Sequence, residues 1–331
     1  MDRTWRRVAC RPHRRDAVPA GSLRRLHLVR TAMMQERIHE WHSPRSLLVL
    51  HDLTPQAGHA AWRAGVIARD QGADLCLLHA ASEPGAAESA RIALERVAGG
   101  LAARLGVQAE VRVVHGDPVR AVMQAAGSAD LVVLAARRSN VLREWLFGTP
   151  AERLIRLCGR PLLVVKRPAI AGYRRVLVPV DFGPAAAPAI AAAASLSRST
   201  AIEVFHSVAV RDEVTMRTAD VPEAAVREDR QRNADHARAR IRELIGTVSG
   251  ARSSAIPSLA FGHASSMVLA KEQAMRADLV VIGKRRRGLL ADFFLGSVTQ
   301  RVLGAGSADV LVLPAARKEP GPVQRFRNLL A

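Results

Sequence analysis

The chain has 331 residues, with 49 Lys and Arg against 30 Asp and Glu, a net charge of +19 and only 4% aromatic residues. At roughly 150 residues per domain, this length holds two domains, each able to bury its own core. It excludes a membrane-spanning helix, because no run approaches the ~18 uninterrupted apolar residues one requires, and a disulfide or zinc framework, because Cys10, Cys76 and Cys158 are scattered and odd in number.

Residues 1–42 read as a basic tail. The first 32 hold nine arginines and two aspartates with neither helical nor strand periodicity, and they lack the apolar segment of a signal peptide. Such a stretch is expected to be disordered, or to be a start placed too far upstream of Met33 and Met34. Strands follow at 46–51, 75–79, 110–114, 130–135 and 161–165, each a short apolar run without alternation, the mark of strands buried on both faces of a parallel sheet. Helices are expected between them at 56–70, 88–105, 118–126 and 150–158. A second series of strands lies at 175–180, 201–208, 255–260, 278–283 and 309–313, with a long charged helix at Glu223–Thr247 and a short one at 298–303. The last residues, 317–331, carry Pro320, Gly321 and Pro322 and read as a tail.

The second series is the first one rewritten. Ala129-Asp-Leu-Val-Val-Leu-Ala135 matches Ala277-Asp-Leu-Val-Val-Ile-Gly283, and Gly148-Thr149 matches Gly296-Ser297, at a constant offset of 148. The earlier halves match too: the first strand, ending at Asp52, matches the strand ending at Asp181 at an offset of 129, and His79 matches His206 at 127. The unit is too long for a solenoid repeat. It is a domain, present at 43–168 and again at 173–316, and the second copy has about 20 extra residues ahead of Gly262, the counterpart of Gly116. Alternating strands and helices call for α/β domains: two tandem doubly wound parallel five-stranded sheets with helices on both faces. Ligands of such sheets sit at the carboxyl ends of the strands, where strand order reverses.

At that end the second copy reads Gly283-Lys-Arg-Arg286, then nine residues, then Gly296-Ser297 and a helix. With Val178-Pro-Val-Asp181 ahead of it, the chain resembles a universal stress protein in tandem form. The resemblance spans about residues 44–316. It implies a phosphate loop of glycine, two residues, a second glycine, nine residues, then Gly-Ser or Gly-Thr. It also implies that Asp181, and by position Asp52, helps to hold a nucleoside. Arg286 stands where that pattern has its second glycine, and the first copy reads Ala135-Ala-Arg-Arg138 before Gly148-Thr149, so both early glycines are lost there. A glycine lets backbone N–H groups close on phosphate; an arginine obstructs that approach or replaces it with a guanidinium clamp. Ser297 and Thr149 also fit plain helix caps, with Pro150 at the first helical position.

The expected binding residues are therefore Asp181, Gly283, Arg286, Gly296 and Ser297 in the second copy, and after them Asp52, Arg138, Gly148 and Thr149 in the first. The sequence makes no cofactor certain; ATP in the second copy is the candidate. Catalytic residues are not identified, because the nucleophile elbow, the GxxxxGK[ST] loop and HExxH are all missing. A metal site is not expected either. His79 and His206 have only His115 and His263 nearby in sequence, at unmatched positions.

The chain is read as cytoplasmic and non-catalytic; the resemblance implies a stress-response role and two domains packed as a pseudo-dimer through their last strands, with 159–166 against 307–314, and a further homo-oligomer is left open. Two alternatives remain. One is an ATP-binding switch or slow ATPase using the second domain. The other is a basic nucleic-acid-associated protein, against which stand the few aromatics and the fact that only four basic residues are lysine.

Overall fold

Why the apolar runs are continuous is visible in the sheet they build. The computed structural model describes residues 41–81, 83–136, 154, 158–169, 171–209, 221–248, 255–284 and 296–314. In the first copy the strands are β1 (Ser46–Leu50), β2 (Asp74–Ala81), β3 (Ala109–His115), β4 (Leu131–Ala135) and β5 (Leu162–Val165), and the helices are α1 (Pro55–Gln71), α2 (Ala87–Leu105) and α3 (Pro118–Ala125). The second copy contributes β6 (Tyr173–Pro179), α4 (Ala186–Leu196), β7 (Ser197–Val208), α5 (Glu223–Thr247), β8 (Ala255–Phe261), α6 (Ala264–Met275), β9 (Leu279–Gly283), α7 (Ser297–Ala305) and β10 (Asp309–Leu313). All ten expected strands are present. The helix expected at 150–158 lies outside the described residues apart from Leu154 and Cys158.

The ten strands form a single sheet in the order β3-β2-β1-β4-β5-β10-β9-β6-β7-β8. Each half has the same internal order and parallel pairing, and the halves meet where β5 and β10 pair antiparallel, with Leu163 opposite Leu311. The two expected five-stranded sheets are thus continuous, joined by the segments expected to touch. Central strands are buried on both faces, whereas the edge strand β3 alternates between half-buried and exposed residues. Helices α1, α2, α4 and α5 cover one face and α3, α6 and α7 the other; both apolar layers run through both copies. Among the described residues no helix is long and apolar enough to cross a membrane.

The repeated Ala-Asp-Leu-Val-Val segment has a structural use for its aspartate. Asp130 accepts the backbone N–H groups of Arg45 and Ser46 at 3.0 and 3.2 Å, and Asp278 accepts those of Arg174 and Arg175 at 2.9 and 3.0 Å. Each carboxylate therefore pins the start of its copy's first strand to the strand beside it. The extra length of the second copy goes only partly into its long helix. Helix α5 has 25 residues against 19 in α2.

The joint between the copies is held by a buried polar cluster. Asp309, 0% exposed at the head of β10, accepts the Tyr173 hydroxyl at 2.8 Å and the Arg63 Nε–H at 3.2 Å on one oxygen. Its other oxygen accepts the backbone N–H groups of Lys166 and Arg167 at 2.8 and 3.2 Å. The Arg63 guanidinium also lies 4.1 Å over the Tyr173 ring and donates to the Ala171 carbonyl at 2.7 Å. Lys166 Nζ donates to the Val302 and Gly306 carbonyls at 2.9 and 2.8 Å, at the negative end of α7. From α6, buried Glu272 accepts Ser307 N–H at 2.6 Å and Ala308 N–H at 2.8 Å. Ahead of β1, the Trp41 indole N–H donates to Ser195 Oγ at 2.6 Å, so the entry to the first copy leans on the second.

Removing one member of such a cluster strands the others without water. Asp309→Ala is expected to lower unfolding free energy by about 3–5 kcal/mol, read from urea denaturation at constant slope. Lys166 supplies a pH signature. Burial, opposed by the nearby Glu272 and Asp309 carboxylates, brings its ammonium down to about 8 from an ordinary 10.5. Between those values the folded chain binds fewer protons than the unfolded chain, so the contribution of Lys166 to stability rises with pH across that window. Lys166→Met is expected to flatten this rise in the urea midpoint between pH 8 and 10.5.

Candidate functional site

The crevice that the topology prescribes lies at the carboxyl ends of β1 and β4, and of β6 and β9, where strand order reverses in each copy. Strands β6 and β9 are neighbours, with Val176 opposite Leu279; Asp181 follows the end of one and Gly283 is the last residue of the other.

In both copies the aspartate after the first strand folds its own loop. Asp52 Oδ1 accepts the backbone N–H of Thr54 at 3.2 Å and the Thr54 hydroxyl, and Thr54 in turn caps α1 by accepting the Ala57 N–H at 3.3 Å, with Pro55 at the first helical position. Asp181 Oδ1 accepts the Gly183 N–H at 3.0 Å. Between each aspartate and the N–H that donates to it, Leu53 and Phe182 hold φ of 63° and 58°, a left-handed conformation that costs a non-glycine residue about 1 kcal/mol or more.

A histidine from the second strand fixes the same loop in both copies. His79 Nδ1 lies 2.7 Å from the His51 carbonyl and His206 Nδ1 2.8 Å from the Val180 carbonyl. A carbonyl only accepts, so each ring carries its proton on Nδ1. The shared strand-end position of these histidines was legible in the sequence, but their use as braces was not. Among the described residues no three His, Cys, Asp or Glu side chains come together as a group that could hold a metal ion.

The copies differ beyond this frame. In the first, buried His51 accepts the Leu53 N–H on Nδ1 at 3.1 Å, its Nε2 has no partner among the described residues, and burial holds its pKa below the ordinary value against the pull of Asp52. In the second, the Phe182 ring lies 4.4 Å from that of His206, and the Arg240 guanidinium of α5 covers it at 4.2 Å. That stack closes over the strand end from a helix whose reach the sequence did not disclose.

The two described glycines of the second-copy motif part company. A Cβ on Gly283 would meet Ala185 Cβ at 2.5 Å and the Ala185 carbonyl oxygen at 2.8 Å. This glycine is needed so that the start of α4 can pack on the end of β9, which is a reason internal to the fold. At Gly296, φ is −48° and ψ 150°, open to any residue, and no atom of the described residues lies within 4 Å of where its Cβ would stand. Ser297 is the first residue of α7, and Gly296 is its cap, with no side-chain bond; the reading of Ser297 as the cap is corrected, because the helix begins one residue earlier than expected. Arg286, Arg138, Gly148 and Thr149 lie outside the described residues. Cys76 and Cys158 are unpaired thiols. Burial pushes Cys76 up to about 11 and Cys158 in the same direction, so both are neutral near pH 7 and poor nucleophiles.

The sequence pattern of the Universal stress protein family matches residues 44–166 and again 172–314. A universal stress protein of Mycobacterium tuberculosis is 26% identical over 230 residues, covering 68% of this chain and 74% of the relative, and one of Mycobacterium bovis matches equally. Among solved structures, a universal stress protein from Archaeoglobus fulgidus aligns with a TM-score of 0.62 at 19% identity, over 85% of this chain and 99% of that one. A putative universal stress protein from Pseudomonas aeruginosa gives 0.59 at 22%, over 82% and 94%. These two likenesses are of fold.

The strained loop residue offers a direct check on the geometry. Leu53 is 42% exposed, so Leu53→Gly gives up little burial while relieving the left-handed backbone. It is expected to raise stability by up to about 1 kcal/mol, measured by thermal or urea unfolding; a loss of stability there would contradict the loop conformation.

Proposed function

The chain belongs to the universal stress protein family, whose domain it carries twice, and from that premise we propose a stress-response role exercised by binding rather than by catalysis. The binding half is the second copy, and its ligand is a nucleotide polyphosphate such as ATP, held weakly with its phosphates at the start of α7. Gly296 carries this reading. Neither its backbone conformation nor neighbouring atoms among the described residues call for a glycine there, while the unsatisfied N–H groups of a helix start attract anions and need close backbone approach. Asp181 stands at the adjacent crevice, where the family resemblance assigns the nucleoside.

Support for binding without turnover comes from how the strand-end groups are spent. Both aspartates accept their own loop N–H groups, both histidines donate to carbonyls, and the described cysteines are neutral. Two unpaired thiols fit a reducing cytoplasm. Arg286, at the place of the motif's second glycine, makes the affinity low by obstructing the loop.

Calorimetry with magnesium-ATP on the full chain tests this. Gly296→Ala is expected to weaken binding by roughly 1.5–3 kcal/mol, the value of one hydrogen bond to a charged group, while costing at most about 1 kcal/mol of stability as a poorer cap. Arg286→Gly is expected to tighten binding by a similar amount. Unchanged affinity in Gly296→Ala, or binding confined to the first copy, would refute the assignment.

A further inference from the structure

The sheet ends in two edge strands, β3 and β8, and among the described residues nothing pairs with the outer side of either. A free edge is a template for another strand unless it is blunted. The two edges differ at matched positions. In a parallel ladder alternate residues turn both backbone groups toward the neighbour. Gly262 N–H bonds to Val208 O at 3.0 Å and Gly116 N–H to Ala81 O at 3.1 Å. With registers unbroken along both pairs, Pro257 in β8 and Val111 in β3 are therefore residues that face outward. These two positions correspond in the repeat, Gly262 matching Gly116. Proline has no N–H to offer, so β8 is blunted. The β3 edge keeps the full outward set at Ala109, Val111 and Val113.

Among the described residues the face beside that edge is also uncovered. Among the described residues, α3 packs on β1 and β2 but makes no comparable contact with β3, leaving a groove of about 460 Å³ lined by Cys76, Glu110, Arg112 and Ser128. Glu110 and Arg112 sit on this face, about half exposed and paired with each other at 2.6 and 2.8 Å. Such an exposed pair adds little to the folded chain. Charges on an edge usually repel a second strand, but an acid and a base two residues apart do so in only some registers.

We propose that the β3 edge is a self-association surface, where a second copy of this chain adds its own β3 antiparallel across a two-fold axis through Val111. Outward residues must oppose outward residues, which limits the choice of register. Centring on Val111 puts Glu110 of each chain opposite Arg112 of the other in a non-hydrogen-bonded pair, where side chains are closest. Centring on Glu110 or Arg112 would set like charges face to face, and centring on Val113 or Ala109 leaves both charges without opposite partners. The Val111 register alone makes two reciprocal ion pairs, as an isologous interface requires. The sheet then runs unbroken through both chains, and the blunted β8 edges stop it from growing into a fibre.

Sedimentation equilibrium of the full chain provides the test. The wild type is expected at twice the 35.7 kDa chain mass, with dissociation promoted by salt. Glu110→Arg alone and Arg112→Glu alone should each weaken the dimer about tenfold or more, because each sets like charges opposite one another twice. An equimolar mixture of those two variants should form a heterodimer, since the charges then complement again. Val111→Pro, which carries over the residue standing at the matching place in β8, should give a monomer with unchanged far-ultraviolet circular dichroism. A monomeric wild type up to its solubility limit overturns the proposal, as does a dimer indifferent to Val111→Pro and to both charge reversals.

Discussion

The antiparallel meeting of β5 and β10 is the constraint on which the rest of the molecule depends. Without it each copy would expose an apolar run, Leu162–Val165 in one and residues 310–313 in the other, along an open edge, a hazard for any sheet protein. With it both apolar layers become continuous through the two copies, and helices from each copy help to cover one sheet. The carboxyl ends of the two half-sheets keep their own crevices, because the joint uses strand edges and not strand ends. Binding chemistry and association of the halves are therefore separable, and the loops at the crevices can diverge while the joint holds.

Much of this was legible because strands buried on both faces must be apolar at every position, and such runs stand out whatever their partners. A constant offset between matching runs then gave the copies, and the family resemblance the place where they would meet. The polar cluster at the joint was not legible. Asp309 reads as an ordinary strand-leading residue, and its partner Arg63 lies 246 positions away on a helix where an arginine suggests solvent. Nothing local marks an aspartate whose two oxygens are both saturated by a distant arginine, a tyrosine and a linker backbone. The left-handed residues were hidden for a similar reason. Leu53 and Phe182 are poor choices for that conformation, and the loop is held by His79 and His206 from another strand, so tertiary bonding overrides local preference.

Within the site, sequence pattern and structure weigh the same motif differently. A glycine in a motif is evidence of a ligand only after internal reasons for it have been exhausted. Gly283 has one, since Ala185 occupies the space a side chain would need, whereas Gly296 has none among the described residues. The first copy fits this division. Ala135 holds the place of Gly283 there and Gln56 that of Ala185, so the pair of residues whose contact demands glycine in the second half is not repeated in the first. The Phe182, His206 and Arg240 stack likewise exists only in the second copy, where α5 supplies the arginine.

A covalent tandem also permits a joint that two identical chains could not make. In an isologous dimer every interface residue appears twice, related by the axis, so a buried aspartate at the head of the last strand would bring a second one with it. Here the position matching Asp309 is Pro161, that matching Lys166 is Pro314, and that matching Arg63 is Ala192. One set of charges sits on one side of the pseudo-axis and apolar or cyclic residues on the other. The cluster closes with one carboxylate at its centre and its donors drawn from α1, the linker and β6, which avoids a second uncompensated charge in a dry interior. Fusion thus does more than raise the effective concentration of the partner domain. It removes the symmetry that would forbid a specific buried ion cluster, and that cluster ties the copies in a single register.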